Sequence, residues 1–175
     1  MGEIRDPQPV KYFVGVLTAI PGSLAELRRV LEQRFGRVDS ESGLLDFTYT
    51  KYYEPEMGPG LVRKFWGFGP LGRPDALVDL KLFTNEVEQV RAVDGRRTVN
   101  VDPGYLTAAR LVLASTKDFA HRLYLGKGIY GEVTLIFRNR EFHPLPWTYP
   151  DYRSEGYLRY FRELRRIYLA QLVSG

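Results

Sequence analysis

The segment Lys11–Thr18 constrains the fold more than any other part of this chain. Its sequence, KYFVGVLT, is rich in β-branched and aromatic residues. A short, nearly continuous apolar run of this kind predicts a strand that is buried on both faces. Pro21 and Gly22 follow as breakers, so we expect the strand to end before them.

A helix is predicted directly after this strand. Ser23 and Glu26 have the spacing of a capping box, in which each side chain satisfies a backbone N–H at the start of a helix. Gly36 is suited to ending that helix. The apolar residues between them recur at helical spacing: Leu24, Leu27, Val30, Leu31 and Phe35.

The rest of the chain alternates predicted strands, turns and helices. Strands are predicted where apolar residues alternate or cluster, and turns where Pro and Gly interrupt them. A turn is predicted at Asp102-Pro103-Gly104, and it would end the predicted strand Arg97–Val101. The predicted strands are Leu44–Tyr53, Leu61–Phe68, Arg97–Val101, Leu111–Ala114, His121–Leu125 and Tyr130–Arg138, and the predicted helices are Pro74–Val93 and Asp151–Leu172.

This pattern predicts one α+β domain over residues 1–175, with a mixed or antiparallel sheet and about three helices. At 175 residues the chain is long enough for one core and short for two. Phe47-Thr48-Tyr49 and Tyr52 are echoed by Trp147-Thr148-Tyr149 and Tyr152. The echo indicates an internal duplication, or it is a coincidence in a chain with 12 tyrosines.

Composition excludes several classes of site. The chain has no cysteine and only two histidines, which rules out disulfides, thiol nucleophiles and a histidine-rich metal centre. A metal would therefore be held mainly by carboxylates. No run reaches about 18 apolar residues and the first residues do not have the pattern of a signal peptide, so we expect a soluble cytoplasmic protein without a membrane partner. The phosphate-loop, dinucleotide, zinc-protease and hydrolase-elbow motifs are all missing.

The first candidate site segment contains Tyr53, Glu54 and Glu56. In an extended chain the two carboxylates, two residues apart, point the same way and can share a proton or a divalent cation such as magnesium. The alternative is a solvated loop at the end of a strand.

The second candidate segment contains Arg97 and Asp102. An aspartate at a strand end is held in place by the strand while the loop leaves it open, which suits a general base or a metal ligand. The same aspartate is also an ordinary turn former.

The third candidate segment contains Lys117 and Arg122, next to the hydroxyls of Ser115 and Thr116. Hydroxyl and cationic side chains at a strand end suit a phosphate group. The alternative is a helical turn that begins at Thr116 or Asp118.

The fourth candidate segment contains Glu132 and Tyr149. A tyrosine beside Arg153 can stack on a base or a sugar. The alternative is packing of the aromatics under the last helix, which the usual burial of large aromatic residues favours. Glu132 lies inside the apolar run GEVTLIF, where a charge needs a partner such as Arg122 or Lys81.

Several of these motifs together resemble the bacterial and archaeal family catalogued as domain of unknown function 4416. The motifs that carry the resemblance, over nearly the whole chain, are KYFVGVLTA, FTYTKYYEPEMG, LKLFTNEVE, VNVDPGYL, LASTKDFAHRLYLGKGIYGEVTL and WTYPDYR. The family has no established activity, so the resemblance implies membership and no mechanism. Some members are labelled GTP-binding, a label that the missing phosphate loop does not support.

These observations favour a small enzyme or ligand-binding protein that acts on a nucleotide or another phosphorylated metabolite, with or without a divalent cation. The alternatives are a noncatalytic RNA-binding module, whose contacts would come from the arginine-rich last helix, and a protein-interaction subunit. The predicted acid–base or metal-binding carboxylates are Glu54, Glu56, Asp102 and Glu132. The predicted ligand-binding residues are Tyr53, Arg97, Lys117, Arg122 and Tyr149.

Overall fold

The structure is a computed structural model that describes residues 2–174, and it has an α+β fold built on one antiparallel sheet. The nine strands are β1 Val10–Thr18, β2 Val38–Glu41, β3 Leu45–Asp46, β4 Val62–Gly72, β5 Val99–Leu106, β6 Arg110–Ser115, β7 Leu123–Gly126, β8 Ile129–Arg138 and β9 Glu141–Pro144. The α-helices of the described residues are α1 Leu24–Phe35, α2 Glu54–Met57, α3 Leu77–Val90 and α4 Glu155–Ser174.

Strand β1 lies near the centre of the sheet, as its sequence predicts. The strand order is β2-β4-β1-β5-β6-β8-β7, with β3 also paired to β4 and β9 to β8. Every residue of β1 is buried. On one face Val14 and Val16 pack with α1 and α3, and on the other face Phe13 packs with α4. The sheet is therefore covered by helices on both sides of its central strands.

Helix α1 spans the predicted residues, but its predicted capping box is wrong. The Ser23 hydroxyl donates to the carbonyl of Ile20 at 2.8 Å and does not cap the helix. The turn Pro21–Ser23 is a short 3-10 helix that leads directly into α1, so the backbone already satisfies part of what a cap would supply. At the other end, Gly36 has a φ of 87° and ends the helix as predicted.

The predicted strand Leu44–Tyr53 is mostly wrong, because only Leu45 and Asp46 pair with β4. After them the chain turns inward. Phe47 packs with Leu17 and Met57, and its backbone N–H donates to the carbonyl of Leu61 at 3.0 Å. The burial of the Phe47 ring therefore outweighs the alternation of apolar and polar residues that favoured a strand in this segment.

The predicted turn at Asp102-Pro103-Gly104 is also wrong, because β5 runs through it without interruption. Pairing of β5 with β6 begins only at Gly104, so Pro103 lies where the sheet is open on one side and a missing N–H is tolerated. Gly104 is needed for packing: a Cβ there would lie 2.5 Å from the Val112 carbonyl oxygen and 2.6 Å from Cζ of Phe13.

This close contact predicts that Gly104→Ala lowers the free energy of unfolding by roughly 1–3 kcal/mol through overpacking. Chemical denaturation measures the change. Gly43→Ala is the matched control, because an added Cβ at Gly43 would meet nothing within 4 Å. Equal stabilities of the two variants would contradict the packing role of Gly104.

Candidate functional site

A cavity opens where β5 and β6 separate. These two strands pair over only three residue pairs, from Gly104↔Leu113 to Leu106↔Leu111. Beyond them, Asn100 and Asp102 of β5 and Ser115 of β6 border a cavity of about 730 Å³. The split in the sheet therefore forms the site.

Helix α3 takes the place of the missing strand beside β5. The Glu88 carboxylate accepts the backbone N–H of Val101 at 2.6 Å, and the Lys81 ammonium lies 3.4 Å from the Val101 carbonyl oxygen. Both α3 side chains are buried and both line the cavity. A buried backbone group without a partner is costly, so these two charged residues allow this part of β5 to lack a neighbouring strand on the β6 side.

The deepest side chains of the cavity surround the guanidinium of Arg63, on β4. Its Nε donates to the Tyr157 hydroxyl at 3.2 Å and its Nη2 to the Asp151 carboxylate at 3.3 Å. Its Nη1 lies 3.6 Å from Asp102 Oδ2. Neither this Nη1 nor the buried Tyr152 hydroxyl has a hydrogen-bond partner within residues 2–174. We call Arg63, Asp102, Asp151 and Tyr152 the floor of the cavity.

Asp102 is the most exposed member of the floor, with 28% of its side chain accessible. Its Oδ2 accepts the Asn100 amide at 2.6 Å, and its Oδ1 lies 3.5 Å from the Lys81 ammonium. Among the four carboxylates predicted as acid–base groups, Asp102 is thus the one placed to contact a bound molecule.

Arg97 lines a second side of the cavity and is fully engaged by its neighbours. Its guanidinium binds Glu56 through Nε at 2.8 Å and Nη2 at 2.7 Å, and its Nη1 contacts Glu88 at 3.3 Å and Asn100 at 2.9 Å.

The two predicted carboxylates of the first candidate segment, Glu54 and Glu56, do not act together. Glu54 and Glu56 lie on the single turn of α2, and neither borders the cavity, so the prediction that they point the same way is wrong.

The opposite side is held by a buried ion pair between Arg122 and Glu132. Arg122 Nε donates to Glu132 at 2.9 Å, which confirms one of the two partners predicted for that carboxylate. The same guanidinium donates to Ser115 at 2.8 Å and to Tyr149 at 3.0 Å. Glu132 also contacts His121 at 2.9 Å. This pair positions the loop after β6 against the segment before α4.

Lys117 differs from the other cations that line the cavity. Its ammonium has no carboxylate within 4.0 Å among the salt bridges of residues 2–174, whereas Arg63, Lys81, Arg97 and Arg122 each have one. It lies on the exposed rim, 5.2 Å from the ring centroid of Tyr52. We call the rim near Lys117 and Tyr52 the mouth.

Aromatic rings form much of the remaining wall. They come from the loop after β3, the loop after β6 and the segment before α4, and they are Phe47, Tyr49, Tyr52, Tyr53, Phe119, Tyr149 and Tyr152. The two segments of the predicted internal duplication both contribute to this wall, although the duplication itself stays a prediction.

Burial changes the acidity of several groups in the site. It raises the pKa of Asp151 and of Glu88 above the ordinary carboxyl value, while Arg63 and Lys81 respectively oppose the shift. It raises the pKa of the Tyr53 hydroxyl to about 12. Burial also raises the pKa of Tyr152 well above its ordinary value, so that hydroxyl keeps its proton at neutral pH.

Most of the predicted site residues meet at this cavity. Those that line it are Tyr53, Arg97, Asp102, Lys117, Arg122, Glu132 and Tyr149. Sequence reasoning missed Arg63 and Glu88 as site residues and considered Lys81 only as an ion-pair partner. The available signal was a charge inside an apolar pattern: Arg63 in a predicted strand, and Lys81 and Glu88 seven residues apart on a predicted helix.

The predicted magnesium site gains no support from the carboxylates. Within residues 2–174, no group of three or more acidic or histidine side chains is arranged to hold a metal ion. Asp102, Glu132 and Glu56 are each engaged by Lys or Arg.

Three arginines of α4 are engaged by neighbouring groups. Arg162 pairs with Glu155 at 2.6 Å, and Arg166 pairs with Glu163 at 2.6 Å. The Arg165 guanidinium lies over the ring of Phe137. These contacts match a solvated, internally paired face more than an RNA-binding stripe.

The Arg122–Glu132 pair predicts a large stability effect. Glu132→Gln leaves the Arg122 charge buried without its counterion, so we expect the free energy of unfolding to fall by roughly 3–5 kcal/mol. Glu163→Gln is the control, since it removes one carboxylate from an exposed pair and should change stability little. Urea denaturation of both variants tests this, and similar losses in the two would show that burial of the pair is unimportant.

Comparison with known proteins returned one match. The model of a family described as a domain of unknown function (DUF4416) matches residues 8–168, which confirms the predicted family. No curated protein matches the chain, and no solved structure matches it. Among the described residues, no helix has the length and apolar content required to cross a membrane.

Proposed function

The chain belongs to the DUF4416 family, and we propose that its cavity binds a small phosphorylated molecule, such as a nucleotide or another phosphorylated metabolite. The observation that supports this most is that Lys117, a cation with no carboxylate partner within residues 2–174, lies at the mouth of a cavity with aromatic walls. Cations supply charge for a phosphate, and aromatic rings supply a surface for the rest of the molecule.

The phosphate binds at the mouth in this proposal. Lys117 is the cation there without a carboxylate partner, so its charge is available to an incoming anion. The hydroxyls of Ser115 and Thr116 border the same part of the cavity and can donate hydrogen bonds. The deeper cations are already balanced by Glu or Asp, and their carboxylates would repel a phosphate.

The dimensions and walls of the cavity agree with a ligand of this size. Its volume of about 730 Å³ lies within the range of roughly 300–1,000 Å³ that is usual for small-molecule sites. Tyr52 and Tyr149 are more than one-third exposed, so their rings are accessible for stacking at the mouth.

Thermal unfolding tests the proposal. The purified protein is heated with a panel of nucleotides and sugar phosphates, each present at high concentration. A ligand at 100 times its dissociation constant adds about 2.7 kcal/mol of stability, which is a rise of roughly 5–10 °C in Tm for a chain of this size. We expect Lys117→Ala to reduce that rise, because it removes the free cation of the mouth.

Lys127→Ala is the matched control. It removes the same charge from an exposed turn that does not line the cavity, so the ligand-induced rise in Tm should stay as in the wild type. Added salt should weaken binding to the wild type more than to Lys117→Ala. Binding that is equally strong in Lys117→Ala and in the wild type would overturn the placement of the phosphate, and no rise with any phosphorylated compound would overturn the proposed function.

A further inference from the structure

The floor of the cavity differs chemically from its mouth. At the mouth, Lys117 is a cation without a counterion, whereas at the floor Arg63 lies between two carboxylates, Asp102 at 3.6 Å and Asp151 at 3.3 Å. The carboxylates of Asp102 and Asp151 already neutralise the Arg63 guanidinium. Their negative charges therefore disfavour binding of an anionic group at the floor. The group that enters the floor should therefore be uncharged.

The floor also presents hydrogen-bond donors and acceptors side by side. Arg63 Nη1 and the Tyr152 hydroxyl are buried donors without partners, and the partly exposed Asp102 carboxylate beside them is an acceptor. A hydroxyl group both donates and accepts, so a single hydroxyl or a pair of neighbouring hydroxyls can satisfy all three. A carbonyl has no proton to give to Asp102, and a phosphate would face its charge.

A glycine in the central strand provides the space for these two donors. Gly15 of β1 lies against both, and a Cβ at Gly15 would be 3.3 Å from Arg63 Nη1 and 3.3 Å from the Tyr152 hydroxyl oxygen. It would also be 2.9 Å from Cε1 of Phe65. Glycine lets the arginine and the tyrosine approach the sheet closely here.

From this arrangement we infer that the ligand is a phosphorylated sugar whose hydroxyl-bearing end contacts Arg63, Asp102 and Tyr152 while its phosphate stays at the mouth near Lys117. This inference rests on the proposed function, because it takes the phosphate at the mouth as its starting point. It names the chemical class of the ligand and the direction in which the ligand enters.

Matched pairs of sugar phosphates test the chemical class. The pairs are ribose 5-phosphate with 2-deoxyribose 5-phosphate, and glucose 6-phosphate with 2-deoxyglucose 6-phosphate, and isothermal titration calorimetry gives the dissociation constants. In at least one pair we expect the deoxy compound to bind at least roughly tenfold more weakly, because loss of a hydroxyl leaves buried polar groups unpaired. Inorganic phosphate should bind more weakly than the hydroxylated sugar phosphate.

Two tyrosine variants test the floor itself. Tyr152→Phe removes a hydroxyl that has no partner in the protein, so unfolding of the free protein should be unchanged or slightly more difficult. Affinity for the better-binding sugar phosphate should fall by roughly fivefold to tenfold, as for one lost hydrogen bond. Tyr160→Phe is the control: Tyr160 is also a buried tyrosine, but it does not line the cavity, so affinity should not change.

The outcomes separate this inference from the proposed function. Binding of phosphorylated compounds that depends on Lys117 but is the same with and without sugar hydroxyls, or the same in Tyr152→Phe and wild type, overturns the inference and leaves the proposed function standing. Binding of nucleotides without binding of either sugar phosphate also overturns it, since the floor would then recognise the edge of a base. Absence of binding by every phosphorylated compound overturns both.

Discussion

The incomplete pairing of β5 with β6 is the constraint on which the site depends. Once the strands separate, the backbone groups of Val101 need partners, and Glu88 and Lys81 of α3 supply them. Those two side chains bring charge into the interior, where it has to be balanced. Glu88 contacts Arg97 and Lys81 contacts Asp102, so the network of the cavity follows from one break in the sheet.

The cationic side chains in the interior of the cavity are neutralised by carboxylates, whereas the cation at the rim is not. Arg63, Arg97 and Arg122 are held by carboxylates and by neighbouring hydroxyl or amide groups, so they are rigid parts of the wall. Lys117 has no carboxylate partner among the residues that the structure describes. A ligand with one charged end and one polar, uncharged end matches this gradient better than a ligand charged throughout.

The sequence predicts those helices and strands that depend on a local residue pattern. It does not predict the elements whose structure is determined by contacts with residues far away in the sequence. The apolar run of β1, the helical spacing of α1 and the glycine at its end were sufficient. Asp102-Pro103-Gly104 has the composition of a turn, yet Gly104 serves close packing on Phe13 and Val112. Lys117 and Arg122 were recognisable because polar residues follow an apolar strand, whereas Arg63 and Glu88 lie inside ordinary elements and acquire their roles only through tertiary neighbours.

A crystal structure of the protein with ribose 5-phosphate would locate the ligand. We expect electron density for the ligand between β5 and β6, with phosphate oxygens within hydrogen-bonding distance of the Lys117 ammonium and sugar hydroxyls against Arg63 and Tyr152. Density for the ligand on another surface, with none between the two strands, would contradict the assignment of this cavity as the binding site.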